Sequence, residues 1–403
     1  MPWRTTCPMD ERVGFIAECL KREESMTTLC RRYGISRKTG YKRLARYRVE
    51  GDPGLADRSR APHHQALAMS AAVEQGLLTL RGRHPHWGPR KLHAWLGRHE
   101  PAQPWPAPST IGDLLQRHGL TIPRRRRPRC PPATAPLGAA VAPNDVWSAD
   151  FKGWFRTRDG VRCNPFTLSD NASRFLLRCQ TVDAPDELHV RPLCEAAFRE
   201  YGLPRAVRTD NGPPFASTGA AGLSRLAVWW IKLGIQPERI TPGHPEQNGR
   251  HERMHLTLEH ETAQPPQATG RAQQRRFDEF RHVFNFERPH EALGQRPPAT
   301  VYAPSPRPYP ERVPEPEYTA DEVVRRVRHN GEIKWRGQSL FVNQCLAGEL
   351  IGIEALIEDC WRVRFGPVVL GWFDTRSAPR AQRPRGAPPH GPFTHKLLPM
   401  CPV

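Results

Sequence analysis

Two proline-rich interruptions constrain this chain more than any other feature, because proline cannot continue a helix interior or a central strand. "IPRRRRPRCPPATAPLGAAVAP" at 122–143 and "PPATVYAPSPRPYPERVPEPE" at 297–317 divide the 403 residues into three stretches, each with its own periodicity. The first stretch reads as helices, the second alternates strands with helices, and the third carries short β-rich segments. A chain divided in this way is multidomain. The expected organisation is all-α helix-turn-helix modules at 1–56 and 66–122, a basic linker at 123–143, an α/β domain at 144–305, a small basic β-barrel at 321–376 and a disordered tail at 377–403.

In the first module Ser25 is placed to cap one helix, Gly34 breaks the chain after "TTLCRRY", and Ser36 caps "RKTGYKRLARYR". A helix, a glycine-containing turn and a second helix rich in arginine and lysine form a helix-turn-helix, whose last helix enters the major groove of DNA. Arg37, Lys38, Thr39 and Lys42 would then face DNA; the plainer reading is an ordinary helical hairpin. In the second module Pro89 suits the first turn of "HWGPRKLHAWL" and Ser109 is placed to cap "TIGDLLQRHG", which predicts a second, winged helix-turn-helix.

Charge points the same way. Lys and Arg number 60 against 41 Asp and Glu, a formal net charge of +19, and the excess recurs in clusters along the whole chain. A polyanionic partner follows, and nucleic acid is the reading preferred over a solvated surface. No secretory h-region or bilayer-length apolar stretch appears, so the expectation is a soluble, cytoplasmic protein with no membrane partner. The ten cysteines are scattered without a C-x-x-C pair, which favours free thiols over disulfides or zinc ribbons.

Beyond Asn144 the alternation of "VWSADFKGWF" puts Trp147, Ala149, Phe151 and Phe155 on one apolar face, with Ser148, Asp150 and Lys152 on the other. Two strands are expected in "NPFTLSDNASRFLLRCQTV", a helix ended by Gly202 in "DELHVRPLCEAAFREYG", and a short strand running into a turn in "RAVRTDNG". "GLSRLAVWWIKLG" and "EQNGRHERMHLTLEHET" read as helices, the first carrying Trp229 and Trp230 as core or interface residues. The order gives an α/β domain with a mixed sheet.

Within the last of these helices stands "HERMH" at 251–255, the H-E-x-x-H of zinc metalloproteases, in which two histidines one turn apart hold the metal beside a general base. The extended form of that motif requires Gly and His where this chain has Leu258 and Glu261. A second reading takes Glu252 alone, together with Asp150 in mid-strand and Asp210 at the end of a strand in "RTDNGPPF". Singly, each has a plain explanation: strand-end aspartates make Asx-turns and helical glutamates are solvated.

Taken in order, W-x-x-D-F-K-G at 147–153, T-D-N-G-x-x-F at 209–215 and N-G-x-x-E-R at 248–253 resemble the integrase-type catalytic core of insertion-sequence transposases and retroviral integrases, over about residues 144–305. The resemblance implies a ribonuclease-H-like fold and a polynucleotidyl transferase that cleaves DNA strands and joins them to a target. It implies Asp150, Asp210 and Glu252 as the catalytic, metal-holding carboxylates, and two Mg²⁺ ions, for which Mn²⁺ substitutes. Glu246, with 35 residues between it and Asp210, is a rival to Glu252, which has 41; in the family pattern the metal-facing glutamate follows the glycine, one turn into the helix, so the resemblance implies Glu252. Double-stranded DNA, as element ends and target, and a homo-oligomer assembled on it are the implied partners. Lys152, Arg250 and Arg253 are candidates for phosphate contact. Of the five residues of "HERMH", only Glu252 is expected to touch metal. The alternative function is a DNA-binding regulator with a non-catalytic core, and a zinc hydrolase is the remote one.

Overall fold

The computed structural model describes residues 7–58, 69–121, 137–217, 220–241, 244–357 and 360–374. The chain forms two compact units, 1–69 and 70–403. The expected tail at 377–403 and most of the expected linker lie outside the described residues.

The first unit holds α1 (Pro8–Lys21), α2 (Met26–Arg32) and α3 (Arg37–Glu50). Ser25 and Ser36 cap α2 and α3 by accepting from the N–H groups of Thr28 and Thr39, and Gly34 makes the turn between them at φ +62°. Phe15, Ile16, Leu29, Cys30, Leu44 and Leu55 form its core. Gly40 lets α3 approach α2: a Cβ there would sit 2.5 Å from Cys30 Sγ. Alanine gains about 1 kcal/mol of helix propensity over glycine, whereas overpacking a filled core costs about 1–3 kcal/mol. Gly40→Ala is therefore expected to destabilise this unit, read as faster amide exchange along α2 and α3; slower exchange would show that the neighbours give way.

The second unit begins with α4 (Ala71–Arg83), α5 (Pro89–His99) and α6 (Pro108–Arg117), packed on Trp87, Leu77, Leu92, Ile111 and Leu114. Arg81 bonds the carbonyls of Trp87 and Leu120 and ties both ends of the module together. Pro89 occupies the start of α5 as expected, but Ser109 does not cap α6. Pro108 takes the first turn, where its missing N–H costs nothing, so the helix begins earlier and Ala107 is the cap residue. No strand occurs among the described residues 69–121, so the expected wing is not found there.

The α/β core contains β1 (Val146–Phe151), β2 (Phe155–Arg156), β3 (Arg162–Asp170), β4 (Leu176–Val182), α7 (Glu187–Tyr201), β5 (Ala206–Thr209), α8 (Arg225–Lys232), β6 (Gln236–Arg239), α9 (Gly249–Leu258) and α10 (Gly270–His282). The sheet is mixed: β1 pairs antiparallel with β3 and parallel with β5, β5 pairs parallel with β6, and β4 and β2 flank β3. One face packs on α7 and α8 through Trp147, Ala149, Phe166, Leu168, Phe198 and Trp230. The opposite face packs on α9 and α10 through Leu176, Cys179, Met254, Leu258 and Phe277. Strand alternation therefore sends Ser148, Asp150, Thr167 and Ser169 toward α9. Phe155 departs from the expected face: it lies in the separate strand β2 and meets Phe277 edge-on. Residues 138 and 139, expected as linker, lie against side chains at β5: Arg208 donates to the Gly138 carbonyl at 2.9 Å and Arg205 donates to that of Ala139.

The C-terminal strands are β7 (Val323–Arg326), β8 (Glu332–Trp335), β9 (Gln338–Phe341), β10 (Leu350–Ile357), β11 (Cys360–Phe365) and β12 (Val368–Asp374). They do not close into the expected barrel. Among the described residues they form an open antiparallel sheet, β12-β11-β10-β7, and a separate β8-β9 hairpin. The reason is α8, which is apolar all round. Leu226, Trp229 and Trp230 enter the core of the α/β sheet, while Ala227, Val228 and Ile231 enter the core made by Ile351, Ile353, Val363 and Phe365. A sheet whose apolar face is covered by a helix has no need to curl onto itself. Lys232 adds an ion pair to Glu349 at 2.8 Å.

Candidate active site

Three carboxylates come from three elements. Asp150 is near the C-terminal end of β1, and Asp210 directly follows the neighbouring parallel strand β5, so both stand at the same end of the sheet. Glu252 lies in the first turn of α9, where a negative charge suits the helix dipole. Asp210 accepts from the Gly212 N–H at 3.2 Å, and Asn211 donates to the Ile240 carbonyl at 2.7 Å, which fixes the "TDNG" turn to the end of β6.

Electrostatics joins the three. The Asp150 carboxyl is pushed up to about 7, first by burial and then by the charges of Asp210 and Glu252, against one stabilising bond from the Phe151 N–H. Burial also raises Asp210. A carboxylate that two others hold toward its protonated form is in the surroundings that a divalent cation relieves, and oxygen donors of this kind suit a hard cation. The residues present thus fit such an ion, and Asp150, Asp210 and Glu252 are the side chains that could hold it.

The histidines of "HERMH" do something other than form a two-histidine zinc site. His251 and His255 are buried on the inner face of α9, and burial drives the first down to about 3 and the second to about 2, so both are neutral. His251 has no nitrogen to spare: Nε2 lies 2.7 Å from Thr167 Oγ1 and Nδ1 lies 2.9 Å from Ser169 Oγ. His255 Nε2 meets the same Thr167 hydroxyl at 2.6 Å, and its Nδ1 lies 3.9 Å from Asp150 Oδ2. Sequence reasoning missed Thr167 and Ser169. Their signal was the polar alternation in "FTLS", a strand otherwise buried on both faces.

The remaining candidates are dispersed. Arg37, Lys38 and Lys42 are exposed on α3 in the first unit, while Thr39 is half-buried and its hydroxyl meets Ser36 Oγ. Lys152 pairs with Glu259 at 3.1 Å, Arg250 donates to the Asn171 carbonyl at 3.1 Å, and Arg253 is exposed. Trp154, not singled out from the sequence, is exposed next to β2 with the guanidinium carbons of Arg162 and Arg156 at 4.8 and 5.9 Å from its ring centre.

Comparison with known proteins agrees with this layout. Residues 140–245 and 233–298 match integrase core domains, which together span all three carboxylates. Residues 11–63 match a helix-turn-helix domain and 39–115 a homeodomain-like domain. The chain is 30% identical over 234 residues to the 39.2 kDa protein of insertion element IS476 of Xanthomonas euvesicatoria, covering 58% of this chain and 65% of that one. It is thus similar to insertion-element proteins and carries matches to an integrase core domain. The 31.7 kDa protein of insertion element IS407 of Burkholderia multivorans is 28% identical over 247 residues, 60% of this chain and 83% of its own length. The chain thus spans just under two thirds of the first of these relatives and most of the second. Among solved structures, the simian T-cell lymphotropic virus intasome in complex with the PP2A regulatory subunit B56 gamma matches 77% of this chain and 100% of its own, at 15% identity and a TM-score of 0.36. The integrase core carries Asp150, Asp210 and Glu252, and the helix-turn-helix match carries Arg37, Lys38, Thr39 and Lys42. No described helix is long and apolar enough to cross a membrane.

Proposed function

We propose that this chain binds the ends of its own element and catalyses metal-dependent DNA cleavage and strand transfer, with Asp150, Asp210 and Glu252 as the catalytic carboxylates. The observation that carries the reading is the Asp150 carboxyl, raised to about 7 with Asp210 and Glu252 among the causes. A DNA-binding protein with a non-catalytic core has no need of that arrangement. Two Mg²⁺ ions, or Mn²⁺ in their place, would lower the charge on the attacking and leaving oxygens. The chain's own part would be to fix the carboxylates: Asp150 lies near the end of β1, Asp210 follows the adjacent parallel β5, and Glu252 stands in the first turn of α9. Phosphoryl transfer leaves the protein little covalent work beyond such positioning, with water and then the freed 3′-hydroxyl as successive nucleophiles.

DNA binding is divided between the modules. The proposed organisation keeps end recognition in 1–56 and 66–122, chemistry in 144–305, and further DNA contact in the C-terminal strands. Trp154, with Arg156 and Arg162 over its ring, supports a stacking contact with DNA beside the site. Assembly as a homo-oligomer on DNA, in the bacterial cytoplasm, completes the reading. Strand transfer of a labelled terminal repeat in Mg²⁺ tests it; binding without any cleavage by the intact protein would favour the regulator instead.

The helix α3 contacts have their own test. Replacing Arg37, Lys38 or Lys42 by alanine is expected to weaken binding and to reduce the slope of log affinity against log salt by about one for each lost phosphate contact. An unchanged salt slope in the triple variant would remove α3 from the interface.

A further inference from the structure

We propose that His255 is a nitrogen ligand of the divalent ion held by Asp150. The inference rests on the metal-dependent reading above and adds to it a side chain outside the three carboxylates. It also departs from the expectation that Glu252 alone, within "HERMH", touches metal.

The hydrogen bonds around the two histidines single out one nitrogen. Asp150, His251 and His255 each offer a donor atom, all within 4.8 Å of one another. His251 is removed from that set because Thr167 and Ser169 occupy both of its nitrogens. His255 is not, since Thr167 takes only Nε2, and the other nitrogen faces Asp150 Oδ2 at 3.9 Å, beyond hydrogen-bond reach. The His255 side chain is 8% exposed, and this nitrogen faces the carboxylate.

One consistent set of protons leaves a lone pair at that position. The Thr167 hydroxyl donates to the Asp150 carbonyl at 3.2 Å, so His251 and His255 each donate Nε2–H to Thr167 Oγ1, and the Ser169 hydroxyl donates to His251 Nδ1. Both hydroxyls and both His251 nitrogens then have partners, and His255 Nδ1 is left as an acceptor pointing at another acceptor. Once Asp150 is ionised, two acceptors face each other and call for a cation between them. Metal-bound histidines characteristically donate their other N–H to a fixed oxygen, the part that Thr167 takes here. Bonds of about 2.0–2.2 Å to each donor set the two atoms about 3–3.5 Å apart on one ion, so a small rotation of Asp150 closes the present gap. Position on the helix supports the same assignment: Glu252 and His255 are three residues apart, one turn along α9.

An imidazole nitrogen in an oxygen site shifts preference toward transition ions, so Mn²⁺ should gain over Mg²⁺. The test uses the untagged full-length protein, labelled with ¹⁵N-histidine, and Mn²⁺ alone as the probe, read by pulsed electron paramagnetic resonance and by calorimetric titration. The expected result is a ¹⁵N coupling to bound Mn²⁺ in the wild type, which His255→Ala eliminates while lowering Mn²⁺ affinity at least about tenfold and Mg²⁺ affinity less. Mn²⁺ bound through Asp150, lost in Asp150→Asn, but with no nitrogen coupling in the wild type, overturns the role of His255 and leaves the carboxylate site standing. A coupling that survives in His255→Ala assigns the nitrogen to another histidine and likewise overturns it. Mn²⁺ binding indifferent to Asp150→Asn overturns the carboxylate site and this inference together. The wild-type spectrum decides the question even if the alanine variant does not fold.

Discussion

Asp150→Asn is expected to lower strand transfer of a labelled terminal repeat by at least about a thousandfold, with DNA binding unchanged, since loss of a single stabilising group at a charge-neutralising site already costs about 10²–10³. The carboxamide keeps the shape of the carboxylate and removes the charge that a divalent ion requires. Asp210→Asn and Glu252→Gln are expected to behave alike, because both charges raise Asp150 and the proposed site needs all three carboxylates. Glu246→Gln is the discriminating control. Its backbone lies in the turn Pro245–Asn248 ahead of α9, whereas Glu252 is inside the helix, so most activity should remain. Activity lost in Glu246→Gln and kept in Glu252→Gln would move the third carboxylate to the turn. Wild-type transfer by Asp150→Asn would remove the site from β1 altogether.

The same substitution should stabilise the metal-free protein. Asp150 titrates near 7 in the folded chain against 3.8 for an ordinary aspartate, so between those two values the folded state binds the extra proton. Stability therefore falls as pH rises through that window. By pH 8 the ionised carboxylate costs up to about 4 kcal/mol, a tenfold change in proton affinity being equivalent to about 1.4 kcal/mol. His251 and His255 run the other way. Their depressed values mean that the unfolded chain takes up protons first, so their contribution is present above the ordinary histidine range and is lost as pH falls toward 3. The wild-type profile mixes both signs, and the difference between wild type and Asp150→Asn isolates the carboxylate. That difference should be near zero at about pH 4 and grow to several degrees of thermal midpoint at about pH 8 in a chelating buffer. Added Mg²⁺ or Mn²⁺ should narrow it by stabilising only the wild type. An asparagine variant less stable than wild type in alkaline buffer without metal would show that Asp150 is satisfied by partners other than an ion.

What the sequence could reveal was local. Ser25 and Ser36 were readable as caps because a cap depends on three or four adjacent residues, and both accept the expected bonds. Ser109 failed by the same logic, since Pro108 beside it was the stronger start signal. The alternation of "VWSAD" placed Asp150 opposite Trp147 and Ala149 because a strand's period of two fixes faces whatever the sheet's neighbours are. The order of the three carboxylate motifs carried the family resemblance for a similar reason, each motif being only a few residues long.

Other features required the folded chain. Both faces of α8 are apolar in sequence, but only the structure shows that one belongs to the α/β core and the other to the C-terminal sheet, which stays open for that reason. Phe155 left its expected face because the chain turns between β1 and β2, and its partner Phe277 is far along the sequence. The role of the histidines in "HERMH" turned on Thr167, which stands 88 residues from His255. Caps, turns and strand faces are set by neighbours along the chain, and the sequence by itself determines them. The closure of a sheet, the face on which a helix is buried and the turning of His255 Nδ1 toward Asp150 arise from contacts between distant segments, and only the packed tertiary structure decides those.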